Sequence, residues 1–193
     1  MTILLRPAIL PVKAPMLTLV MALSVSEGIR KTTGLECGIK WPNDIVTDGC
    51  KICGILTEMS SEIDFINYVV TGVGINVNAE SFPEEIAAKA TSLKIKLGTN
   101  VSRSALVADI MERFEENYAA FLETEDLSLL MERYNALLVN RGKEVRVLEP
   151  GNEYNAYSSG ISQTGELLVT AADGSLKKIY AGEVSVRGVY GYV

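Results

Sequence analysis

The chain has 193 residues and no histidine. That absence removes the commonest general base and the commonest neutral metal ligand. Only three cysteines occur, Cys37, Cys50 and Cys53. An odd, sparse count excludes a disulfide framework and suits a reducing compartment. Cys50 and Cys53 form one CxxC with no second pair to complete four ligands, and residues three apart on a regular strand face opposite ways. They read as small strand residues. Positive charge is scarce too, with 18 Lys and Arg against 24 Asp and Glu and a net charge of −6. Nucleic-acid binding needs a cationic face, so no nucleic-acid partner is expected, although a basic pocket can sit inside an acidic shell. No long apolar run is present. The stretch 16–25 is too short to span a bilayer and is broken by Ser24, so no membrane partner is expected. Arg6 and Lys13 precede it as in a signal peptide, but Pro7, Pro11 and Pro15 interrupt the lead-in and a helical pattern continues to Lys31. A cytoplasmic location is expected.

What remains is a globular composition, 48% hydrophobic and 22% charged, in a length suited to one domain and a smaller second one. Residues 2–5 read as a short strand. Pro15 suits the first turn of a helix carrying Leu17, Val20, Met21 and Val25 at helical spacing, with Gly34 as its stop. A strand entering Lys40-Trp41 follows, then a hairpin turned at Asp48-Gly49, a strand over 51–59 and a buried strand over 65–77. A weak helical turn is expected over 83–90. Ser102 caps a long amphipathic helix with Leu106, Ile110, Phe114 and Phe121 on one stripe, and a second helix over 127–139 ends at Arg141-Gly142. From Lys143 the pattern becomes short strands punctuated by Pro150-Gly151, Gly160, Gly165 and Asp173-Gly174. Two units are expected, 1–142 and 143–193.

The chemistry concentrates in Lys40-Trp41-Pro42-Asn43-Asp44 and Lys51-Ile52-Cys53-Gly54-Ile55-Leu56. Asn43 and Asp44 can close a turn on the backbone or point at a ligand. With Lys51 placed opposite Lys40 across the hairpin, two ammonium groups share one site, which an anion would neutralise. Gly54 inside a strand marks close approach by a ligand or another backbone. Gly72-Val73-Gly74 repeats that signature, with a strand bulge as its alternative reading; no helix opens after it, so it is no dinucleotide fingerprint.

In order and spacing, Lys40-Trp41-Pro42-Asn43-Asp44, Lys51-x-x-Gly54-Ile55-Leu56 and Gly72-x-Gly74-x-Asn76 resemble the core motifs of bacterial biotin–protein ligases. Gly182-Glu183-Val184-Ser185 is similar to the end of that family's SH3-like domain. Glu183 and Arg187 themselves read as an ion pair or end cap. The resemblance implies an α+β fold: a class II synthetase-like catalytic domain, a mixed sheet with helices, and a C-terminal SH3-like β-barrel. It implies activation of biotin with MgATP and transfer to a lysine on the biotin carboxyl carrier domain of acetyl-CoA carboxylase or a related carboxylase. Lys51 would meet the biotin carboxylate and the α-phosphate. Lys40, Asn43 and Asp44 would line the nucleotide side, with Asp44 toward Mg2+. Gly54, Leu56 and Gly72 would line biotin, and Gly74 and Asn76 the adenylate.

The family's Gly- and Arg-rich loop, which lies ahead of the strand resembled by residues 2–5, has no counterpart in this sequence. On the resemblance, the catalytic domain is N-terminally incomplete and impaired activity is expected. Three readings stay open: a fragment of a ligase, a chain completed by a partner, and a non-catalytic module binding biotin or a carrier. A lipoate ligase is disfavoured by the closing β unit, and a homodimer stays open.

Overall fold

The computed structural model describes residues 1–149 and 151–181, together with the backbone of 185–188. After a short strand β1 (Thr2–Leu5) and a 3-10 turn at Pro11–Lys13, helix α1 (Met16–Thr33) forms the centre of the core. Gly34, at φ 73°, closes it by donating its N–H to the Arg30 carbonyl, a geometry that favours glycine. Leu17, Val20, Met21 and Val25 are fully buried. By length and composition Pro11–Thr33 would pass for a membrane span, but here it is largely buried, between helix α4 (Arg103–Thr124) and the first sheet. The two helices approach closely at Gly28, where an added Cβ would lie 2.8 Å from the Cα of Ile110. Ser102 caps α4 by accepting from the Ala105 N–H, and Leu106, Ile110, Phe114 and Phe121 form its buried stripe.

A polar rivet crosses the same layer. Asn117 donates through Nδ2 to Ser24 Oγ and Glu27 Oε2, both at 3.0 Å. Arg133 of α5 (Met131–Leu137) donates to Glu27 Oε1 at 2.8 Å and Asn117 Oδ1 at 2.7 Å. α5 is shorter than the helix expected over 127–139, because Leu138 turns extended and bridges to Ile39. Two further short helices, α2 (Glu84–Ala87) and α3 (Leu93–Leu97), precede α4 along the chain; α2 answers to the expected turn and α3 had no sequence signal strong enough to anticipate.

The first sheet has the order β1-β5-β4-β3-β2, built from β2 (Gly38–Lys40), β3 (Asp44–Thr47), β4 (Cys50–Ser61) and β5 (Ile66–Ile75). Its ladders are antiparallel; parallel pairing enters among the described residues as two isolated bridges, Ile39 with Leu138 and Lys51 with Ala90. The β3–β4 hairpin turns at Asp48 (φ 46°) and Gly49 (φ 74°), the paired positive φ of a two-residue I′ turn. β4 then carries one residue more than β3, since Ile45 pairs with Cys53 but Val46 with Lys51. This bulge at Ile52 governs the site.

The second sheet runs β10-β6-β7-β8-β9, all antiparallel, from β6 (Lys143–Glu149), β7 (Asn152–Ile161), β8 (Leu167–Ala171), β9 (Leu176–Ile179) and β10 (Ser185–Gly188). The run Gly182-Glu183-Val184 and the side chains of Glu183 and Arg187 lie outside the described residues. Hydrogen bonds tie this sheet to the first unit: Trp41 Nε1 donates to Gly165 O at 3.0 Å, Leu127 N to Gln163 O at 2.8 Å, and Ile161 N to Asn135 Oδ1 at 2.9 Å.

Candidate active site

On β4 and β5, Gly54 stands opposite Gly74 and Leu56 opposite Gly72; on the other side of β5, Thr2 of β1 also faces Gly72. Residues paired across a ladder share a face. Their neighbours Ile45, Ile55 and Val73 are buried toward α1, so the glycines lie on the face turned away from the helices. Three glycines on adjacent strands leave a floor of bare backbone. A Cβ on Gly72 would come no nearer than 3.8 Å to other atoms and one on Gly74 no nearer than 3.9 Å, and neither residue has a positive φ. Protein packing and backbone strain therefore do not require these two glycines. Something laid on the floor would.

Gly54 differs. An added Cβ there would sit 3.1 Å from both Cε and Nζ of Lys51. The missing side chain is the channel through which Lys51 reaches Asp44, Nζ to Oδ1 at 2.5 Å. The Ile52 bulge makes this possible, because it brings residues 51 and 54 onto one face where a regular strand would separate them. The Lys51 side chain stays 39% exposed, whereas that of Asp44 is 12% exposed.

Lys40 is not the cross-strand partner of Lys51 that the hairpin reading expected. β2 lies one strand further out, so Lys40 pairs in register with Asp44 while Lys51 pairs with Val46. Asp44 is thus the neighbour of both lysine positions. Lys40 is buried. Asn43 is clamped to β4, its Nδ2 donating to Ile55 O and its own carbonyl accepting from the Ile55 N–H, both at 2.9 Å. Asn76, just past β5, donates through Nδ2 to Thr91 O at 3.1 Å.

A shallow cleft of about 490 Å³ opens over the floor, lined by Lys51, Asn43, Gly54, Leu56, Gly72 and Gly74 among others. Six of the nine expected site residues thus meet in one depression. Asp44 adjoins it through Lys51, while Lys40 and Asn76 are not in its lining. Leu56 is 63% exposed beside the glycines, giving the floor an apolar margin. Thr2 is a lining residue that sequence reading did not pick out; its position follows from pairing over 70 positions in the chain, which leaves no local signal. A second depression of about 280 Å³ shares Asn43, Ile55 and Leu56 and extends to Pro15 and Pro42. A larger cleft, about 560 Å³, lies at the Lys13–Glu125 ion pair and contains none of the motif residues.

The chemistry open to this arrangement is electrostatic. Cys53 beside the floor is no nucleophile, since burial pushes its thiol up to about 12. Among the described residues no three His, Cys, Asp or Glu side chains group to hold a metal. One carboxylate, Asp44, fits an ion that arrives on phosphates and keeps its waters, not a resident metal centre.

The residues that build the floor lie in 1–76, the stretch matched by the model of the biotin/lipoate A/B protein ligase family; residues 142–187 match the biotin protein ligase C-terminal domain. The crystal structure of biotin protein ligase from Aquifex aeolicus superposes with a TM-score of 0.86 at 30% identity, covering 97% of this chain and 80% of that one. This chain belongs to the biotin protein ligase family. The same Aquifex ligase, solved in complex with biotin and ATP, superposes with a TM-score of 0.84, over 97% of this chain and 77% of that one. Among curated relatives, the bifunctional ligase/repressor BirA of Bacillus subtilis is 38% identical over 190 residues, 96% of this chain but 57% of its own length. The biotin–[acetyl-CoA-carboxylase] ligase of Paracoccus denitrificans is 26% identical over 97% of this chain and 79% of its length. The chain thus spans little more than half of the BirA relatives it matches.

Proposed function

We propose that this chain acts as an ATP-dependent biotin–protein ligase, with residues 1–142 activating biotin and residues 143–193 forming the appended β unit. The observation that carries the reading is an exposed lysine, Lys51, held by Asp44 over a glycine floor that packing does not require. Support comes from a family relative solved with biotin and ATP. The match of 142–187 to a biotin ligase C-terminal domain favours biotin over lipoate.

In this reading the ring system and aliphatic chain of biotin lie on Gly54, Gly72 and Leu56, and its carboxylate points to Lys51. A carboxylate oxygen attacks the α-phosphorus of ATP; the bond to the pyrophosphate oxygen breaks, and pyrophosphate leaves with the electron pair. Two anions must approach one another, so the barrier is chiefly electrostatic. A preplaced ammonium group lowers it by meeting charge on the carboxylate and on the phosphoryl oxygens. Asp44 would be the carboxylate that holds a magnesium ion brought by the nucleotide, and the ion would neutralise charge on the phosphoryl oxygens. Asn43 and Gly74 border the nucleotide side, and Lys40 backs Asp44 from β2. In the second step the neutral amine of a lysine on a carboxyl carrier domain attacks the acyl carbon. AMP leaves with the electron pair, and the amine proton passes to water or to the departing phosphate. Neither step needs histidine.

Biotin-dependent exchange of labelled pyrophosphate into ATP tests the first step, and transfer of labelled biotin to a purified carrier domain tests the second. Exchange above a no-biotin control supports the reading. Folded protein that binds carrier yet shows no exchange would replace it with a non-catalytic carrier-binding module.

A further inference from the structure

Past the end of α5 the chain runs briefly along the outer edge of β2. Leu138 bridges Ile39 in parallel, and the Val139 N–H donates to Ile39 O at 2.9 Å. Gly38 permits the approach, since an added Cβ there would collide with Cγ1 of Val139. A parallel ladder continued from this bridge would next offer a backbone carbonyl to the Trp41 N–H. The chain turns away first, closed by the Arg141 N–H on Leu138 O at 3.2 Å. The side chain of Asn140 stands in for the missing carbonyl, and its Oδ1 accepts from the Trp41 N–H at 3.0 Å. Asn140 is 2% exposed and Trp41 1%, so without this amide the N–H would be shut away from water.

The bond falls at a point the site depends on. Trp41 opens the turn that leads through Asn43 into Asp44. Pro42 has no N–H, so the Trp41 amide is the one backbone donor between Lys40 and Asn43. At its far end the turn is clamped to β4 by the two bonds between Asn43 and Ile55, and Asp44 goes on to reach Lys51. At its near end the backbone is held by Asn140, while the indole is held separately by Gly165 O.

We infer that Asn140 is a positioning residue for the nucleotide side of the site, acting through the Trp41 N–H on the turn that presents Asn43 and Asp44. Its effect on turnover rests on the ligase reading above; its hold on the turn does not.

Trp41 is the only tryptophan in the chain. Nitrogen labelling of tryptophan in the intact protein therefore gives one backbone NMR signal, from the N–H on Asn140, and one indole signal, from the N–H on Gly165. In Asn140→Ala, hydrogen exchange at the backbone signal should quicken about tenfold, the scale of one lost buried hydrogen bond. The indole signal should keep its shift, which reports that the variant is folded. Asn140→Leu has a similar shape without the acceptor and should give the same result, which covers the case in which Asn140→Ala fails to fold. Asn140→Asp keeps an acceptor and should restore slow hydrogen exchange. In the pyrophosphate assay Asn140→Ala should raise KM for ATP about tenfold, the scale of one misplaced polar contact, and Asn140→Asp should recover it. KM for biotin should stay unchanged, because Gly54, Leu56 and Gly72 belong to β4 and β5 and not to the turn. A smaller folded fraction would lower the rate without moving either KM. Fast hydrogen exchange at the backbone signal of the unaltered chain, no change in the folded Asn140→Ala or Asn140→Leu variants, or a KM for ATP that stays put once the bond is lost would overturn the assignment. Absence of pyrophosphate exchange in the unaltered chain would count against the ligase reading alone, because the labelled signals still decide whether Asn140 holds the turn.

Discussion

Gly72→Ala should raise stability and lower biotin affinity at the same time, and Gly74→Ala should raise stability and lower ATP affinity. Both residues are in extended β5, without positive φ, and the added methyl meets its nearest neighbours at 3.8 Å (Leu56 O) and 3.9 Å (Gly54 O). At such a compatible position, Gly→Ala stabilises by about 0.4–1 kcal/mol, because the unfolded chain has less freedom to lose. For a chain of this size that corresponds to a Tm higher by roughly 1–4 °C. A ligand lying on the floor would meet the same methyl as an intrusion, and one misplaced methylene in an apolar pocket costs about 1–3 kcal/mol, or roughly 10–200-fold in affinity. The two effects have opposite signs, so misfolding cannot imitate the result. Calorimetric unfolding with titration of biotin for Gly72→Ala, and of ATP for Gly74→Ala, measures both. A raised Tm with unchanged biotin affinity in Gly72→Ala would refute the floor as the biotin surface, and a lowered Tm in either variant would refute the packing argument. Gly54→Ala is a different perturbation: its methyl displaces the end of Lys51, so exchange activity should fall about a hundredfold, as a misplacement of about 1 Å can cause, with little change in Tm.

Other consequences can be measured independently. Lys51→Ala should abolish biotin-dependent exchange while the far-ultraviolet circular dichroism stays unchanged; turnover retained in the folded variant would remove Lys51 from its assigned role. Gly28→Ala should destabilise by about 1–3 kcal/mol in urea denaturation, because its methyl would lie 2.5 Å from Ile110 Cγ1 and within 2.9 Å of the Ile110 backbone, which cannot swing aside. Trp41→Phe keeps most of the packing but leaves Gly165 O without the indole donor, and should cost about 1–3 kcal/mol by the same assay. Burial pushes the thiols of Cys37 and Cys53 up to about 12 from 9.0, so the stability gained from keeping them protonated is complete below about pH 9 and lost as the pH rises toward 12. Alkylation of the native chain at pH 8 should accordingly be confined to Cys50; modification of Cys53 there would contradict the packing around β4, and of Cys37 the packing ahead of β2.

Much of this architecture can be read locally. Gly34 as a helix stop, Ser102 as a cap and Asp48-Gly49 as a hairpin turn each follow from short-range backbone preferences, and each occurs where those preferences place it. The motif residues were also legible as a group, since Asn43, Lys51, Gly54, Leu56, Gly72 and Gly74 line one cleft. Their mutual arrangement was not. A one-residue bulge at Ile52 reverses the face that Lys51 presents, and no feature of Lys51-Ile52-Cys53 announces it, because the extra residue is stabilised by segment 89–91 from elsewhere in the chain. Lys40 sits beside Asp44 for a different reason: β3 stands between its strand, β2, and β4 in the sheet order. α3 escaped notice because five residues are too few to display a helical period, although Ser92 and Gly98 cap it at both ends.

The hydrogen bond from Trp41 to Gly165 has a genetic corollary. Trp41 belongs to the turn that leads into Asp44, and Gly165 belongs to the loop before β8, at φ 90°, where an added Cβ would press within 3.3–3.4 Å of Leu19, Leu127 and Met16. A missense change at Gly165 would therefore be felt at the lysine–aspartate pair more than a hundred positions upstream. On the ligase reading proposed above, alleles of the tail would score as lesions of the head in a selection for biotin-dependent growth, and suppressors of a damaged Gly165 should map to the helix-facing residues that crowd it.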